Sequence, residues 1–428
     1  MSSDEPIRLD KSCRICGSQK TKDVWELKPT PPGDRFVPES QLDSSKEKHP
    51  LILALCEACG YLHLPHVLDP KLIYSDYLYE SKVTLGLRQH FKEYAEKVLS
   101  ISKTAKGSMV VDLGSNDGSL LEVFQNLGMT VLGIEPSVIA LKANDIVPTI
   151  RDYFNEELAK NIVKNQGKAA IVTANYMYAN IDDVKQFTRD AKELLDEDGI
   201  FVIQTGYHPE QMKIFMFDYI YHEHIAYFTV KVLSRLLQDC GFELLHVETN
   251  PMKGGSVRAI AQHAGGQRKI DQSVDAFIQN EEAAGMHKCE TYFRFAEDIN
   301  DRKIALLELL NPLKSENKRI VGYGASISTT TLAHQFEIGG HLEYIVDDNP
   351  IKQGLYSPGY HLPVYASGKL YEDMPEYVVI LAWQYQDAII ERNREYLDRG
   401  GAFIVPLPDT KIRSEERRVG KECRSRWS

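Results

Sequence analysis

The nine residues VVDLGSNDG, from Val110 to Gly118, decide the fold class of this 428-residue chain. An apolar strand runs into a turn that glycines bound at positions 114 and 118, and the following residues, SLLEVF, begin an amphipathic helix. Glycine allows a backbone to turn sharply and to approach a ligand closely. The stretch therefore predicts the first strand, ligand loop and helix of a Rossmann-like α/β domain.

The next predicted strand, TVLGIE, ends in Glu135, which lies 23 positions after Asp112. An acid at this place can accept hydrogen bonds from ribose hydroxyls. The loop departs from the GxGxxG phosphate fingerprint, and the carboxylate of Asp117 would repel a pyrophosphate but suits the cationic amino-acid end of S-adenosylmethionine. We therefore predict this methyl donor, the alternative being a structural glycine turn in another α/β protein. The predicted cofactor-binding residues are Asp112, Gly114, Ser115, Asn116, Asp117, Gly118, Glu135 and Asn175.

Short apolar runs alternate with amphipathic helices from residue 107 to about 265, a pattern typical of a parallel sheet. The predicted strands are MVVDLG, TVLGIE, AAIVTAN, GIFVIQT, ELLHVE and VRAIAQ. A helical segment is also predicted at 66–100, and a long helical connector at about 270–312. The alternation then restarts with RIVGYGA, LEYIVDD, YVVILA and AFIVPL, which indicates a second α/β unit.

Composition and charge restrict the class of protein. The chain is 43% hydrophobic and 26% charged, and it lacks both an apolar run long enough for a membrane span and an N-terminal signal pattern, so we expect a cytoplasmic protein. Residues 413–428 resemble the in-frame translation of a sequencing-adapter oligonucleotide, and we expect the natural sequence to end differently beyond about Ile412. This tail has six basic and three acidic residues, so the chain's net charge of −11 becomes −14 without it. Such an acidic chain is not expected to bind nucleic acid.

Six cysteines precede the tail, and four of them form the pairs Cys13-x-x-Cys16 and Cys56-x-x-Cys59. Each pair can place two thiolates on one tight turn, and two such turns make a tetrahedral site for a structural zinc ion. Glycine follows each pair, where a knuckle needs a permissive backbone. The 39 residues between the pairs exceed the usual spacing, and four reduced cysteines without metal are the alternative.

The densest polar cluster is Tyr221-His222-Glu223-His224, in a loop before the helix VKVLSRLLQDC that Thr229 can cap. A histidine removes protons near neutral pH, and a neighbouring glutamate can orient it. From spacing alone, an exposed polar loop or a structurally satisfied histidine is the favoured interpretation.

The chain resembles the sugar C-methyltransferases that make branched deoxysugars. The resemblance spans residues 10 to 410 and depends on the CxxC pairs, the DLGSNDG loop with GIEPS, the YHEH cluster, GGSVR at 254–258, and GYGA at 322–325 with DDNP at 347–350. It implies an α/β protein with an N-terminal zinc knuckle, a central Rossmann-like class I methyltransferase domain and a C-terminal Rossmann-like domain that helps to hold a nucleotide sugar. The corresponding domain boundaries are 1–65 for zinc binding, 66–106 for a helical substrate-contact segment, 107–268 for the methyltransferase, 269–412 for the C-terminal domain, and 413–428 for a non-native tail.

The resemblance also implies the chemistry. His224 would remove a proton from the carbon beside the ketone of an NDP-4-keto-6-deoxysugar, at C-3, with Glu223, Tyr221 and Tyr79 as catalytic neighbours. The enolate would then take the methyl group. The substrate-binding residues that it implies are Tyr77, Tyr79, Asn180, Gly255, Ser256, Arg258 and Tyr323.

Two places depart from the family pattern. Asn180 stands where the family often has histidine, and an amide can form hydrogen bonds but cannot act as acid or base. Ser328 and Thr329 stand where a Lys-Gly pair is expected, which removes a cation from the side of a pyrophosphate. A second dinucleotide site after Gly322 is disfavoured because Ile327 replaces the third glycine of the fingerprint, so a tight turn beside the substrate cleft is the better interpretation.

Two other functions remain open at this point. An O- or N-methyltransferase could use the same fold and the same histidine. A non-catalytic scaffold that binds zinc and a nucleotide belongs to another class and predicts no turnover. The oligomeric state is expected to be a monomer or a homodimer.

Overall fold

The computed structural model describes residues 7–45, 47–69 and 86–415. The strands are β1 Ile7–Leu9, β2 Thr21–Thr30, β3 His49–Cys56, β4 Leu62–His63, β5 His66–Leu68, β6 Met109–Leu113, β7 Thr130–Ile134, β8 Thr149–Ile150, β9 Ala169–Asn175, β10 Leu195–Gly206, β11 Ala226–Tyr227, β12 Phe242–Asn250, β13 Ser256–His263, β14 Ile320–Tyr323, β15 Ile345–Val346, β16 Val364–Tyr365, β17 Tyr377–Ile380, β18 Ala402–Val405 and β19 Lys411–Arg413.

The α-helices are α1 Leu87–Ser102, α2 Ser119–Asn126, α3 Ala140–Ala143, α4 Glu156–Gln166, α5 Val184–Leu194, α6 His208–Lys213, α7 Val230–Asp239, α8 Ser273–Ala283, α9 Cys289–Ser315, α10 Ile327–Phe336, α11 Lys369–Asp373, α12 Gln386–Arg392 and α13 Arg394–Asp398. Short 3₁₀ turns lie at Glu39–Ser45, Tyr178–Asn180, Met252–Gly254, Gly339–His341 and Trp383–Tyr385. Among the described residues, no helix combines the length and the apolar character that crossing a bilayer requires.

Backbone contacts divide the chain into two compact units, and neither is continuous in sequence. Unit 1 consists of Met1–Asp23, Ala54–Glu210 and Ile225–Cys289. Unit 2 consists of Val24–Leu53, Gln211–His224 and Glu290–Ser428. The domain boundaries drawn from the sequence assume continuous segments. The division into discontinuous units therefore does not test them, and they remain predictions.

Unit 1 contains a seven-stranded sheet with the order β12-β13-β10-β9-β6-β7-β8. The strands from β8 to β10 in this order pair in parallel, as the alternating pattern predicts. The expectation of a wholly parallel sheet is wrong for β13, which is antiparallel to both β10 and β12. Only five residues separate β12 from β13, and so short a connection can join antiparallel strands but not parallel ones.

Helices cover both faces of this sheet because the strand side chains alternate between two apolar cores. Val110, Val131 and Ile171 point into one core with α1 and α2. Val111, Leu132 and Val172 point into the other with α4, α5 and α7. Each fully buried side chain of this size contributes roughly 1.5–3 kcal/mol of apolar burial, which accounts for the layered architecture.

Two helical expectations need correction. The connector predicted at 270–312 is two helices, α8 and α9, and the break includes Gly285 with φ +70°. The segment predicted as helical from residue 66 begins with the strand β5, and the described helix α1 starts only at Leu87.

Unit 2 contains a six-stranded sheet with the order β16-β15-β14-β17-β18-β19, parallel except for β19. All four strands predicted for this unit are present. The strand order reverses between β14 and β17, which is the switch point beyond which open α/β sheets bind their ligands.

Candidate active site and metal centre

The loop after β6 is fixed in place by its two glycines. Gly114 N donates a hydrogen bond to Ile134 O of β7 at 2.8 Å. Gly114 has φ +74°, and an added Cβ would lie 2.8 Å from Met177 Cγ. Gly118 has φ +77° at the start of α2, and its added Cβ would lie 2.7 Å from Val147 Cγ2. Both positions therefore need glycine for backbone conformation and for space, as the sequence predicts.

Glu135 follows β7 and holds the loop from the other side. Its Oε2 accepts a hydrogen bond from Asn116 N at 3.1 Å, and its Oε1 accepts one from Ser137 N at 2.9 Å. Asn116 has φ +51°, a conformation that residues with a side chain seldom adopt. The predicted ribose acid thus lies beside the loop and orients its strained residue.

Two carboxyl groups of the loop are buried. Asp112 Oδ1 accepts hydrogen bonds from Thr173 Oγ1 at 2.6 Å and from Asn175 Nδ2 at 3.2 Å, and burial raises the pKa of Asp112 to about 7. Asp117 Oδ1 accepts from the hydroxyl and the backbone N–H of Ser119, at 2.6 and 3.2 Å. Asp117 therefore binds the first residue of α2, and the electrostatic role that the sequence assigns to it stays a prediction.

Two buried polar atoms at this edge fit a bound cofactor. Ser115 Oγ and Asn175 Oδ1 have no hydrogen-bond partner within the described part of the chain. A buried polar atom without a partner costs about 1–3 kcal/mol, so the edge suits a ligand that offers hydroxyl or ammonium donors. S-adenosylmethionine carries both, and the residues present are consistent with it.

A polar network continues from the cofactor loop and was missed by the sequence reasoning. Gln204, near the carboxyl end of β10, accepts from Arg258 Nε at 3.1 Å and donates to Tyr176 OH at 3.0 Å. His90 Nε2 lies 2.8 Å from the Gln204 amide nitrogen. Tyr176 has φ +57°, and strain of this kind is concentrated at functional sites. The signal available in the sequence was a glutamine directly after the apolar run GIFVI. In the structure this glutamine, Gln204, is fully buried.

The predicted substrate residues of β13 already have protein partners. Arg258 donates to Glu248 Oε1 at 2.6 Å, and its guanidinium lies 4.2 Å from the centre of the Tyr94 ring. Ser256 Oγ donates to a backbone carbonyl of the preceding turn at 2.8 Å, and Gly255 has φ +116°. The structure thus gives these residues supporting contacts, and their role towards substrate stays a prediction.

The Tyr-His-Glu-His cluster lies in an irregular segment between α6 and β11. Tyr221, His222 and Glu223 are 7%, 1% and 5% exposed, and His224 is half-buried. The alternative of an exposed polar loop is therefore wrong. The helix that follows begins as predicted, because the Thr229 side chain accepts from Val232 N.

The contacts of His224 define its tautomer. Nδ1 lies 3.3 Å from the backbone oxygen of Tyr219, which can only accept a hydrogen bond, so Nδ1 carries the proton. Nε2 lies 3.1 Å from Tyr221 OH and, in the neutral ring, accepts from that hydroxyl. The lone pair of Nε2 is thus the basic site, and Tyr221 is its hydrogen-bond donor.

Glu223 is buried and accepts hydrogen bonds from the backbone amides of Gly33 and Asp34. Its Oε2 has no partner in the part of the chain that the structure describes. Burial, together with the charge of Asp34, raises the pKa of Glu223 to about 7. A carboxyl group of this kind exists in both protonation states near neutral pH and can serve as donor or acceptor.

Four further predicted positions differ in their surroundings. Asn180 lies in the turn after β9, and its Oδ1 is buried without a partner among the described residues. Tyr323, at the end of β14, is 3% exposed and donates to Asp348 Oδ2 at 3.0 Å. Tyr77 and Tyr79 lie outside the described residues, so their predicted contact with substrate is untested.

The turn after β14 matches the tight turn expected from its sequence. Ala325 N donates to Asp347 Oδ2 at 2.5 Å, which ties the turn to the end of β15. Gly324 has φ +111°, and an added Cβ would lie 2.6 Å from Ala382 Cβ. Ile327 is the first residue of α10. The turn therefore forms without the third glycine of a dinucleotide fingerprint.

The four paired cysteines form the metal centre. Their Sγ atoms all lie within 4.8 Å of one another, with Cys13 to Cys59 at 3.5 Å and Cys16 to Cys56 at 3.6 Å. Thiolates about 2.3 Å from a tetrahedral zinc ion would be roughly 3.8 Å apart, so the cluster has the size of a zinc site. All four ligands are cysteine, which leaves no open position for catalysis.

The backbone of the two turns is equivalent. Gly17 N donates to Cys13 O and Gly60 N donates to Cys56 O, each at 2.8 Å, and both glycines have positive φ. The unusual spacing between the pairs also has a structural explanation, because residues 24–53 belong to unit 2 whereas all four cysteines belong to unit 1.

Comparisons with known proteins divide the chain into three matched regions. Residues 13–74 match the family described as "Putative zinc binding domain", residues 87–247 match a "Methyltransferase domain", and residues 251–408 match the "C-methyltransferase C-terminal domain". C-methyltransferase NovU from Streptomyces niveus is 29% identical over 413 residues, which are 96% of this chain and 98% of that protein. The chain is a C-methyltransferase. It uses S-adenosylmethionine and has a zinc-binding N-terminal region, and the alternative of a non-catalytic scaffold is set aside.

Solved structures that resemble the C-methyltransferase cover less than half of it. Magnesium protoporphyrin IX methyltransferase from Synechocystis PCC 6803 has 15% identity and a TM-score of 0.34, covering 45% of this chain and 92% of that one. The CcbJ methyltransferase from Streptomyces caelestis has 16% identity and a TM-score of 0.32, covering 41% and 89%.

Proposed function

We propose that the substrate is a nucleoside-diphosphate 4-keto-6-deoxysugar and that C-3, beside the ketone, receives the methyl group. The near full-length similarity to a C-methyltransferase supports a carbon acceptor. The observation that carries the proposal is the pair of contacts of His224, with Nδ1 3.3 Å from the backbone oxygen of Tyr219 and Nε2 3.1 Å from Tyr221 OH, which leaves Nε2 as the basic nitrogen of the neutral ring.

In this proposal the protein makes the substrate carbon nucleophilic. A proton on a carbon next to a ketone is acidic enough for a positioned imidazole, and His224 Nε2 accepts it. Tyr221 OH, which donates to Nε2 in the resting state, and the buried carboxyl of Glu223 support the negative charge that develops on the ketone oxygen. The bound cofactor supplies an electrophilic methyl group.

The residues assigned to the cofactor are those of the loop after β6 and its neighbours, from Asp112 to Gly118 with Glu135 and Asn175. We assign Glu135 to the ribose because it lies beside the loop, and Asn175 Oδ1 and Ser115 Oγ offer acceptors that have no partner among the described residues. The nucleotide half of the substrate is assigned to the C-terminal domain with Tyr323, as the resemblance implies. Asn180 would contribute a hydrogen bond rather than a proton.

His224→Ala tests the assignment of the base. Calorimetric titration should give an S-adenosylmethionine Kd within about twofold of the parent, because the cofactor loop keeps all its contacts. Turnover of the 4-keto-sugar and exchange of its C-3 proton with D₂O should both fall by about 10²–10⁴-fold, the usual contribution of general-base catalysis.

His341→Ala is the matched control, since His341 bonds to Asn311 and not to the loop. Full turnover by His224→Ala would remove His224 as the base. The position of the methyl group separates the proposal from an O- or N-methyltransferase. A ¹³C-labelled donor should give a product whose label is bonded to carbon and survives acid hydrolysis as a C-methyl sugar.

A further inference from the structure

The segment that precedes His224 is anchored within unit 2 at several points. Phe217 stacks on Phe336 of α10, with ring centres 5.0 Å apart. Ile220 O accepts a hydrogen bond from Thr331 Oγ1 at 3.2 Å, and His222 Nε2 donates to Pro50 O at 3.2 Å. The loop is thus held by other segments of unit 2, although it interrupts the sequence of the methyltransferase domain.

A further buried anchor is a hydrogen bond between two side chains. Trp383 Nε1 donates to Asp218 Oδ2 at 3.0 Å, and the two residues are 3% and 0% exposed. The other oxygen, Asp218 Oδ1, is buried and without a partner among the described residues. Burial raises the pKa of Asp218 to about 7. An acid in this position is costly to bury, and an apolar residue of similar size would be cheaper for stability alone.

The position of Trp383 gives this bond a functional context. Trp383 comes just after β17, where Leu381 N and Ala382 N both donate to Tyr323 O, at 2.8 and 3.1 Å. Gly324 has no side chain, and this absence leaves room for the Cβ of Ala382. Trp383 therefore starts at the carboxyl ends of β14 and β17, the switch point of the second sheet, and reaches from there to the start of the His224 loop.

We propose that Asp218 and Trp383 are positioning residues for catalysis, since their hydrogen bond holds the segment that presents His224. The proposal rests on the proposed function in giving His224 the role of base. Asp218 lies six residues before His224, and the bonds at Ile220 and His222 transmit the anchor along the loop. A displacement of about 1 Å at a catalytic group lowers rates by up to about 10²-fold.

Three variants test the bond. Trp383→Phe and Asp218→Leu remove it, whereas Asp218→Asn keeps an oxygen that can accept from Trp383 Nε1. We expect kcat for the 4-keto-sugar to fall about 10- to 100-fold in the first two and less than about threefold in Asp218→Asn, while KM changes little and the S-adenosylmethionine Kd stays within twofold. Tyr396→Phe is the matched control, because it deletes a buried hydrogen bond of 2.7 Å, to Pro375 O, elsewhere in the same sheet domain.

Hydrogen–deuterium exchange of the peptide 217–225 provides a readout that requires no substrate and does not depend on which residue is the catalytic base. The amides of this peptide should exchange faster in Trp383→Phe than in Tyr396→Phe or the parent. Equal exchange in both variants, or equal losses of kcat in Asp218→Asn and Asp218→Leu, would overturn the positioning role. If the peptide loosens as expected while His224→Ala keeps full turnover, the anchor stands and the base assignment fails.

Discussion

Gly133→Ala tests how closely the cofactor loop packs on β7. Gly133 lies on β7, paired with Asp112 of β6 on one side and with Thr149 of the edge strand β8 on the other. An added Cβ would lie 2.5 Å from Ser115 Oγ, 3.1 Å from Ser115 Cβ and 3.0 Å from Thr149 Oγ1. A methyl group at this position must therefore displace Ser115, which belongs to the cofactor loop, by roughly 1 Å.

The magnitude follows from two opposing terms. Overpacking of a buried site costs about 1–3 kcal/mol. Replacing glycine by alanine inside a strand recovers about 0.5–1 kcal/mol of backbone entropy. The net loss is about 0–2.5 kcal/mol of unfolding free energy. If the loop moves to relieve the contact, the free energy of cofactor binding falls by a similar amount. A loss of about 1.4 kcal/mol would raise the Kd for S-adenosylmethionine about tenfold.

Ser115→Ala provides the second arm of a double-mutant cycle. It removes the atom at 2.5 Å, and because Ser115 Oγ is buried without a partner among the described residues, its loss should be nearly neutral for stability. Calorimetry and thermal unfolding of the four proteins should give a favourable coupling of about 1 kcal/mol in the double variant. Parental affinity in Gly133→Ala, or zero coupling in the cycle, would refute the close packing of loop and strand.

The remaining predictions concern the metal, pH and the loop glycine. Cys56→Ser should lose zinc, measured by metal analysis, and lower the unfolding midpoint by about 10 °C or more, because structural zinc contributes directly to folding. For Asp112, burial raises the folded-state pKa from 3.8 to about 7, so the unfolded chain loses its proton first and stability falls as pH rises from about 4 to 7. In denaturant titrations, the free energy of unfolding of Asp112→Asn should therefore exceed that of the parent by up to about 4 kcal/mol at pH 8 and by almost nothing near pH 4. Gly118→Ala should weaken S-adenosylmethionine binding in calorimetry at least as much as Gly133→Ala, since it adds strain at φ +77° to a Cβ placed 2.7 Å from Val147.

The central strands of both sheets were predictable because they are buried on both sides, whereas the short and less buried strands β8, β16 and β19 were not predicted. Every residue of β6 and of β14 is buried, and each strand appears in the sequence as a mainly apolar run that leads into a glycine turn. The metal ligands were predictable for a similar reason, since a CxxC turn carries its geometry locally and Gly17 and Gly60 adopt the positive φ that such a turn needs.

Local sequence patterns could not predict which distant segments of the chain belong to the same unit. Residues 24–53 lie between the two cysteine pairs in sequence, yet Gln335 in α10 exchanges two hydrogen bonds with the backbone of Lys28. Asp34 pairs with Lys352 at 2.6 Å. These contacts join residues about 300 positions apart, and the individual residues look like ordinary surface residues of a loop. The Gln204 network was missed for the same reason, because its partners come from four separate elements.

The division into two units has a consequence for the enzyme's chemistry. The loop assigned to the methyl donor, Asp112 to Gly118, lies in unit 1, whereas His224 is the last residue of a segment that belongs to unit 2. Each group has its own supporting contacts, Glu135 and Ile134 for the loop and Tyr219 and Tyr221 for the histidine. Donor binding and proton removal should therefore be separable by mutation. A variant of the Asp218–Trp383 anchor should lose C-3 proton exchange at full cofactor affinity, and a Gly133 variant should lose affinity while exchange measured without cofactor persists.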